Sequence, residues 1–88
     1  NDYKIIDVRN FFEYNNGKIK KSLNIPLFEM HSNLSKLDKK GNYLIHCETG
    51  YRSMIASSIL KKNGFNNVID ISDGYQGYIK NSNVEILN

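Results

Sequence analysis

The sequence predicts an α/β fold in which helices cover a parallel β-sheet. Three short runs of apolar and β-branched residues have the length of strands, and segments with helical spacing lie between them. The middle run, "NYLIHC" at residues 42–47, is almost continuously apolar, as is typical of a strand buried on both faces of a parallel sheet. Strands that alternate with helices form right-handed βαβ units, whose ligands collect at the carboxyl ends of the strands.

The N-terminal half is predicted to contain two extended segments and two helical ones. Residues 3–8 ("YKIIDV") form the first strand, and "RNFFEYNNG" predicts a brief helical turn that ends at two asparagines and a glycine. "SLNIPL" predicts a short extended piece, because Pro26 disfavours helical geometry at the residue before it. Apolar residues follow helical spacing from Leu27 to Leu37, so we expect one helix there.

A helix, a strand and a second short helix are predicted after the central strand. One face of the first helix is apolar and consists of Ile55, Ala56, Ile59 and Leu60. Gly64 has the position of the glycine that terminates many helices. "NNVIDI" predicts the third strand, "DGYQGYIKN" a turn and a short helix, and "NVEIL" a short extended tail.

Composition indicates one small globular domain. The chain has 88 residues, of which 40% are hydrophobic and 24% charged, as in ordinary globular domains. No apolar stretch approaches the roughly 18–20 residues that span a bilayer, and no secretory segment is evident, so we expect no membrane partner. Because the first residue is Asn1, we expect residues 1–88 to be a module or a trimmed form of a longer protein, in which a fused domain is a further partner.

The charged residues and the cysteine disfavour several classes of function. The net charge of +3 comes from scattered lysines, and no basic face with interleaved aromatic residues is evident, so we expect no nucleic-acid partner. The chain has one cysteine and two histidines, which rules out an internal disulfide and makes a structural zinc site unfavourable. A lone thiol fits a reducing compartment, so we predict a cytoplasmic protein without a metal.

The segment "CETGYRS" at residues 47–53 is the strongest candidate for a functional site. It puts Cys47 at the carboxyl end of the central strand and Ser53 in the first turn of the next helix. If the loop curls, the backbone N–H groups after the cysteine form an anion-binding nest, which favours the thiolate. Gly50 permits the turn, and Arg52 is predicted to bind an oxyanion or to fix the loop. The alternative is a buried structural thiol, since free cysteines are often buried.

Several motifs resemble those of rhodanese-like domains. "IIDVR" and "GKI" fit the opening signature of that family, and "SLNIP" fits its second motif. "CETGYRS" fits the active-site loop, and "DGYQGY" at residues 73–78 fits the closing motif. The resemblance covers nearly the whole chain and implies a rhodanese-like fold, a parallel sheet of four to five strands with helices on both faces. The family's usual segment before the first strand is missing from these residues, which would cost the sheet an edge strand.

The resemblance implies that Cys47 is the nucleophile of a sulfurtransferase. Cys47 would accept a sulfane sulfur from thiosulfate, a polysulfide or a low-molecular-weight persulfide, and the product would be a persulfide in the amide nest. The other loop residues would bind the substrate, and they are Glu48, Thr49, Gly50, Tyr51, Arg52 and Ser53. No second cysteine can resolve the persulfide, so the acceptor is an external thiol or cyanide, and no cofactor is needed. The open alternative is a non-catalytic rhodanese-like module that binds a partner or senses persulfides.

Loop length and one substitution narrow the implied chemistry. The loop from Cys47 to Arg52 matches that of the sulfurtransferases, whereas the phosphatases that resemble this family use a loop one residue longer, so phosphatase and arsenate reductase chemistry is disfavoured. Many members carry a basic residue after the cysteine, where this chain has Glu48. A carboxylate there disfavours dianionic thiosulfate and leaves a neutral or monoanionic persulfide as donor. Asp73 and Tyr78 stand where glycine and tryptophan are common.

The polar residues around the motifs have structural interpretations. Arg9 and Glu13 have the spacing of an ion pair on a helix, and we predict that pair rather than an acid–base pair of Asp7 and Arg9. His46 precedes the cysteine, so strand alternation turns its side chain to the opposite face, and we predict a buried core histidine. We expect Tyr75 to be a core or rim aromatic residue.

Overall fold

The structure is a computed structural model and is described for residues 2–72, 74–80 and 85–87. Two motif positions, Asp73 and the side chain of Tyr78, lie outside the described part. The strands are β1 (Tyr3–Asp7), β2 (Lys18–Ile19), β3 (Leu23–Asn24), β4 (Asn42–His46), β5 (Asn67–Asp70) and β6 (Ile86–Leu87). The helices are α1 (Phe11–Asn15), α2 (Met30–Asn33), α3 (Tyr51–Lys62) and α4 (Gly74–Lys80). In the part of the chain that the structure describes, no helix is both long and apolar enough to cross a bilayer.

The main sheet is parallel and has four strands in the order β3–β1–β4–β5. Its register aligns Ile5 of β1 with Leu44 of β4 and Ile69 of β5. Because all neighbouring strands run parallel, their carboxyl ends lie at the same edge of the sheet. The structure therefore confirms the predicted α/β fold. The sheet has four strands, the lower number of the predicted range of four to five.

A second, antiparallel sheet consists of β2 and β6 and aligns Lys18 with Leu87. Next to it the N–H of Lys20 donates to the carbonyl of Glu85 at 2.7 Å, and the Lys20 ammonium lies 3.2 Å from the Glu85 carboxylate. The sequence predicts the extended tail but not its partner, because a strand of two residues is too short to show alternation.

The prediction of one helix between Leu27 and Leu37 is wrong in detail. The structure has the short helix α2 there, with a 3₁₀ turn on each side of it. The side-chain amide of Asn33 donates to the carbonyl of Glu29 at 2.8 Å. Asparagine side chains that bond to the backbone in this way compete with the regular helical ladder. The predicted apolar face is nevertheless correct, since Met30 is fully buried in the core.

The hydrophobic core lies between the sheet and α3. Ile6 of β1, Ile45 of β4 and Leu60 of α3 are among its fully buried members. Alternate strand residues point to the other face, where Tyr75 of α4 stacks on His46 with 5.9 Å between the ring centroids. Helices therefore cover both faces of the sheet, as predicted, and His46 is the buried core histidine that the sequence indicates.

The end of α3 confirms the role predicted for Gly64, which has a φ of +92°. Its N–H donates to the carbonyl of Lys61, and the N–H of Phe65 donates to the carbonyl of Leu60. These two bonds form a Schellman motif, and the buried Phe65 ring supplies the accompanying hydrophobic contact. The C-terminus of α3 is thus packed against the core. Its N-terminus, at Tyr51, lies near the carboxyl edge of the sheet, where β4 ends.

Candidate active site

Cys47 lies directly after β4, at the carboxyl edge of the sheet. Its Sγ atom accepts the backbone N–H of Gly50 at 3.1 Å and that of Ser53 at 3.2 Å. Two N–H dipoles therefore point at the sulfur and stabilise negative charge on it. This geometry confirms, for Gly50 and Ser53, the amide nest that the sequence predicts.

The sulfur is also buried, since Cys47 has 0% of its surface exposed and belongs to the core cluster. Burial alone would equally fit a structural cysteine. The two directed N–H groups distinguish the interpretations, because a thiol that only fills space in a core needs no donors.

The loop turns sharply at Gly50, which has a φ of +98° and precedes the first residue of α3. A Cβ atom at this position would collide with the carbonyl oxygen of Ser72, in the segment after β5. Ser53 is fully buried, and its hydroxyl donates to the Gly50 carbonyl at 3.1 Å. The predicted need for glycine is therefore confirmed, and the close approach of Ser72 adds to it.

The start of α4 holds the loop from the other side. The N–H of Tyr75 donates to the carbonyl of Cys47 at 2.6 Å and to that of Glu48 at 3.2 Å. Gly74 permits this approach, because a Cβ atom there would collide with the Glu48 carbonyl. This role of Gly74 is not predicted from the sequence, although the position of Gly74 in the "DGYQGY" motif could have indicated it.

Arg52 is held by Glu13 of α1, which lies 39 residues earlier in the chain. The two Nη atoms of Arg52 donate to the two carboxylate oxygens of Glu13 at 2.6 and 2.9 Å. The predicted Arg9–Glu13 ion pair is therefore wrong, because Glu13 binds Arg52 in the first turn of α3. The two-point contact favours the loop-fixing role of Arg52 over the oxyanion-binding one, since its guanidinium fork already holds a carboxylate.

The Glu13–Arg52 pair has a testable pH dependence. The hydrogen bonds from Arg52, opposed by burial, lower the pKa of Glu13 from 4.5 to about 2. Because this pKa is depressed, the stabilisation is present above the ordinary value of 4.5 and is lost as the pH falls toward 2. By NMR we expect the Glu13 carboxylate to stay ionised where a free glutamate is half protonated, and Arg52→Gln to raise its midpoint toward 4.5.

The exposed pair of Lys20 and Glu85 supplies the control for this titration, because both side chains are more than half exposed. Lys20→Gln is expected to leave the Glu13 midpoint where it is. A Glu13 midpoint that Arg52→Gln does not move would contradict the pairing.

A buried ion pair lies behind the loop, on the face of the sheet that α4 covers. Asp7 and Arg9 have 0% and 3% of their side-chain surfaces exposed, and Arg9 Nη2 lies 2.7 Å from Asp7 Oδ2. Arg9 also donates to the carbonyl of Gly17 at 2.7 Å and lies 3.9 Å from the centroid of the Tyr75 ring. The Asp7–Arg9 pair therefore links three parts of the fold, namely β1, α4 and the turn before β2. Its role is structural.

Glu48 and His46 are both directed toward this pair. The Glu48 carboxylate is 35% exposed and lies 3.4 Å from Arg9 Nη1. Burial lowers the pKa of His46, although the Asp7 carboxylate at 3.5 Å opposes the shift, so the imidazole is neutral at pH 7. The structure thus places His46 with the ion pair and Tyr75 rather than with the sulfur.

The remaining predicted site residues lie at the surface of the loop. Thr49 is exposed, and 66% of the surface of Tyr51 is exposed. The substrate-binding role stays a prediction for these two residues and for the other residues of the loop. Gly50, Arg52 and Ser53 have defined contacts within the protein. Among residues 2–72, 74–80 and 85–87, no group of three or more His, Cys, Asp or Glu side chains could hold a metal ion.

Comparison with known proteins gives one consistent family. The family model described as "Rhodanese-like domain" matches residues 1–81. The chain is 37% identical to a tRNA uridine(34) hydroxylase from Pelagibacter ubique, over 91% of this chain and 28% of that protein. It is 34% identical to the putative sulfur carrier protein YrkF from Bacillus subtilis, over 84% of this chain and 40% of that protein. The chain therefore spans less than half the length of these curated relatives.

Solved structures indicate the same family. The crystal structure of a rhodanese-related protein from Thermoplasma volcanium superposes with a TM-score of 0.87 and 32% identity, over 97% of this chain and 83% of that one. Fold, motif order and family match agree with one another. The chain therefore belongs to the family of rhodanese-like domains.

Proposed function

We propose that this domain is a sulfurtransferase in which Cys47 carries a sulfane sulfur as a persulfide. The observation that carries the proposal is the pair of backbone N–H groups, from Gly50 and Ser53, that lie within 3.2 Å of Sγ. They stabilise the Cys47 thiolate before the reaction and the persulfide anion after it. Family membership, and a relative named as a putative sulfur carrier, support sulfur transfer.

The reaction consists of two displacements at sulfur. In the first, the Cys47 thiolate attacks the outer sulfur of a donor persulfide, the donor S–S bond breaks, and its electron pair leaves with the donor thiolate. In the second, an acceptor thiolate attacks the outer sulfur on Cys47, and the electron pair of the broken bond returns to Sγ. Each step forms one S–S bond and breaks another, so neither needs an added oxidant or reductant.

The charges around the loop favour a donor of low negative charge. The partly exposed Glu48 carboxylate follows the nucleophile directly, and Arg52 is occupied by Glu13. Glu48 pairs with Arg9 at 3.4 Å, but Arg9 is shared with the buried Asp7, so these three groups keep one net negative charge next to the nucleophile. That charge disfavours dianionic thiosulfate, and we propose a low-molecular-weight persulfide as the donor. The acceptor is a thiol outside residues 1–88, because Cys47 is the single cysteine among them.

Intact-mass measurement tests this proposal. The protein is incubated with 2-hydroxyethyl persulfide, a donor with a neutral tail, or with thiosulfate, and then with an excess of 2-mercaptoethanol. We expect a gain of one sulfur atom that the thiol removes, faster loading from the persulfide than from thiosulfate, and no gain in Cys47→Ser. The comparison of the two donors separates the general proposal from the donor class.

Protein that melts cooperatively and yet gains no sulfur from either donor would contradict the proposal. That result would assign the domain to the alternative class, a non-catalytic module that binds a partner. Equal loading from both donors would reject the donor class while leaving sulfur transfer intact.

A further inference from the structure

An apolar cavity of about 300 Å³ lies beside the active-site loop. Its walls consist of Val8, Asn10, Pro26, Leu27, Phe28 and Arg52. Phe28 is 80% exposed, so the cavity reaches solvent along this ring. The volume is at the lower end of the range of small-molecule sites, which leaves room for one compact chemical group.

The two polar residues of the wall are already engaged within the protein. The side-chain oxygen of Asn10 accepts the N–H of Glu13 at 2.9 Å, where it caps α1. The guanidinium of Arg52 donates two hydrogen bonds to the Glu13 carboxylate, which neutralises its charge. The cavity therefore attracts an apolar group more strongly than an anionic one.

The cavity is adjacent to the surroundings of the sulfur. Val8 lines it and also belongs to the buried cluster that contains Cys47. Arg52 lines it and directly precedes Ser53, whose N–H donates to Sγ. The cavity therefore adjoins the loop that carries the nucleophile.

We propose that this cavity is the subsite for the apolar group of a low-molecular-weight thiol or persulfide that exchanges sulfur with Cys47. The inference rests on the proposed function and adds a substrate class to it, a compact aliphatic or aromatic tail. Phe28 determines specificity, because its exposed ring forms the wall that such a tail contacts from the solvent side. Thiols with anionic tails are poor partners, since they would bring charge next to an apolar wall.

Binding is tested first without sulfur chemistry, in Cys47→Ser protein. The probe is benzyl alcohol, the oxygen analogue of benzyl mercaptan, and NMR follows labelled methyl groups of Val8 and Leu27. We expect saturable shifts of both residues, and binding weaker by about tenfold when Phe28→Ala is added. 2-Hydroxyethanesulfonate, an anionic probe, is expected to cause no such shifts.

Phe12→Ala is the matched control, because Phe12 is 77% exposed and is absent from the walls of the cavity. It removes an aromatic ring of similar exposure from the neighbouring helix α1. We expect the affinity for benzyl alcohol to be unchanged in this variant.

Transfer is tested next, with persulfide-loaded Cys47 and two acceptors, benzyl mercaptan and 2-mercaptoethanesulfonate. The ratio of their second-order rate constants is compared between variants, which cancels the intrinsic reactivity of each thiol. We expect Phe28→Ala to lower this ratio about tenfold and Phe12→Ala to leave it unchanged.

Absent methyl shifts with benzyl alcohol, or equal losses in Phe12→Ala and Phe28→Ala, would overturn the subsite. A transfer ratio that Phe28→Ala does not change would also overturn it. Failure of Cys47 to load with sulfur, while benzyl alcohol still binds, would instead reject the proposed sulfurtransferase function and leave the cavity as a binding site for apolar molecules.

Discussion

Asp7→Asn is expected to destabilise the domain by about 3–5 kcal/mol, because it removes the main counter-charge of a buried guanidinium and leaves it the longer contact with the partly exposed Glu48. Asp7 is completely buried and accepts three hydrogen bonds from the Arg9 side chain, at 2.7 to 3.0 Å. Its Oδ1 atom also accepts the backbone N–H of Arg9 at 2.9 Å. Since small domains have a total stability of only about 5–15 kcal/mol, we expect a large shift of the urea midpoint.

Glu85→Gln is the control for this loss, because it removes a carboxylate from the exposed Lys20–Glu85 pair. Exposed ion pairs contribute at most about 1 kcal/mol, so this variant is expected to unfold close to the wild-type midpoint. Equal midpoints for Asp7→Asn and wild type would show that Arg9 finds other partners and that the pair does not hold the fold together.

Gly50→Ala is expected to impair sulfur loading at Cys47 by about 10- to 100-fold. The left-handed conformation of this residue costs alanine roughly 1–2 kcal/mol, and its Cβ atom would also collide with the Ser72 carbonyl. The loop must move to relieve that collision, which withdraws the Gly50 N–H from Sγ. A hydrogen bond to a charged group contributes about 1.5–3 kcal/mol, which corresponds to that loss of rate. Initial rates of persulfide formation, followed by mass, measure the effect.

Gly64→Ala separates the collision from the backbone strain. Gly64 has nearly the same φ, +92° against +98°, but a Cβ atom there would meet only the flexible side chain of Lys39, at 3.6 Å. We expect this variant to lose stability by the strain alone, roughly 1–2 kcal/mol, and to load sulfur at the wild-type rate. If both variants loaded sulfur equally slowly, the close approach of Ser72 would not explain the glycine at the active site.

The parts of the fold that follow from local chemistry agree with the sequence. Continuous apolar runs predict β1, β4 and β5 within a residue or two, and the periodic face around Ala56 predicts α3 with its terminating Gly64. The loop after Cys47 is also predictable, because few residues separate the end of β4 from the beginning of α3 and the backbone can follow few other paths. By contrast, β2 and β6 are too short to show any periodicity.

Side-chain partners were less predictable. The i, i+4 spacing of Arg9 and Glu13 indicates an ion pair on a helix. In the folded protein, however, Arg9 turns to Asp7, and Glu13 binds Arg52 from 39 residues away. Such choices depend on which long side chains meet once the sheet has formed, and sequence separation carries no information about that.

The amino-acid sequence alone predicts β1, β4, β5 and α3, the cysteine at a strand end and the glycines at positions 50 and 64, because these features depend on neighbouring residues and on steric rules of the backbone. The folded protein is needed to find which amides point at the sulfur, which charges are buried together and where an apolar cavity lies. Those properties arise from residues that are distant in the chain and become neighbours only when the core packs.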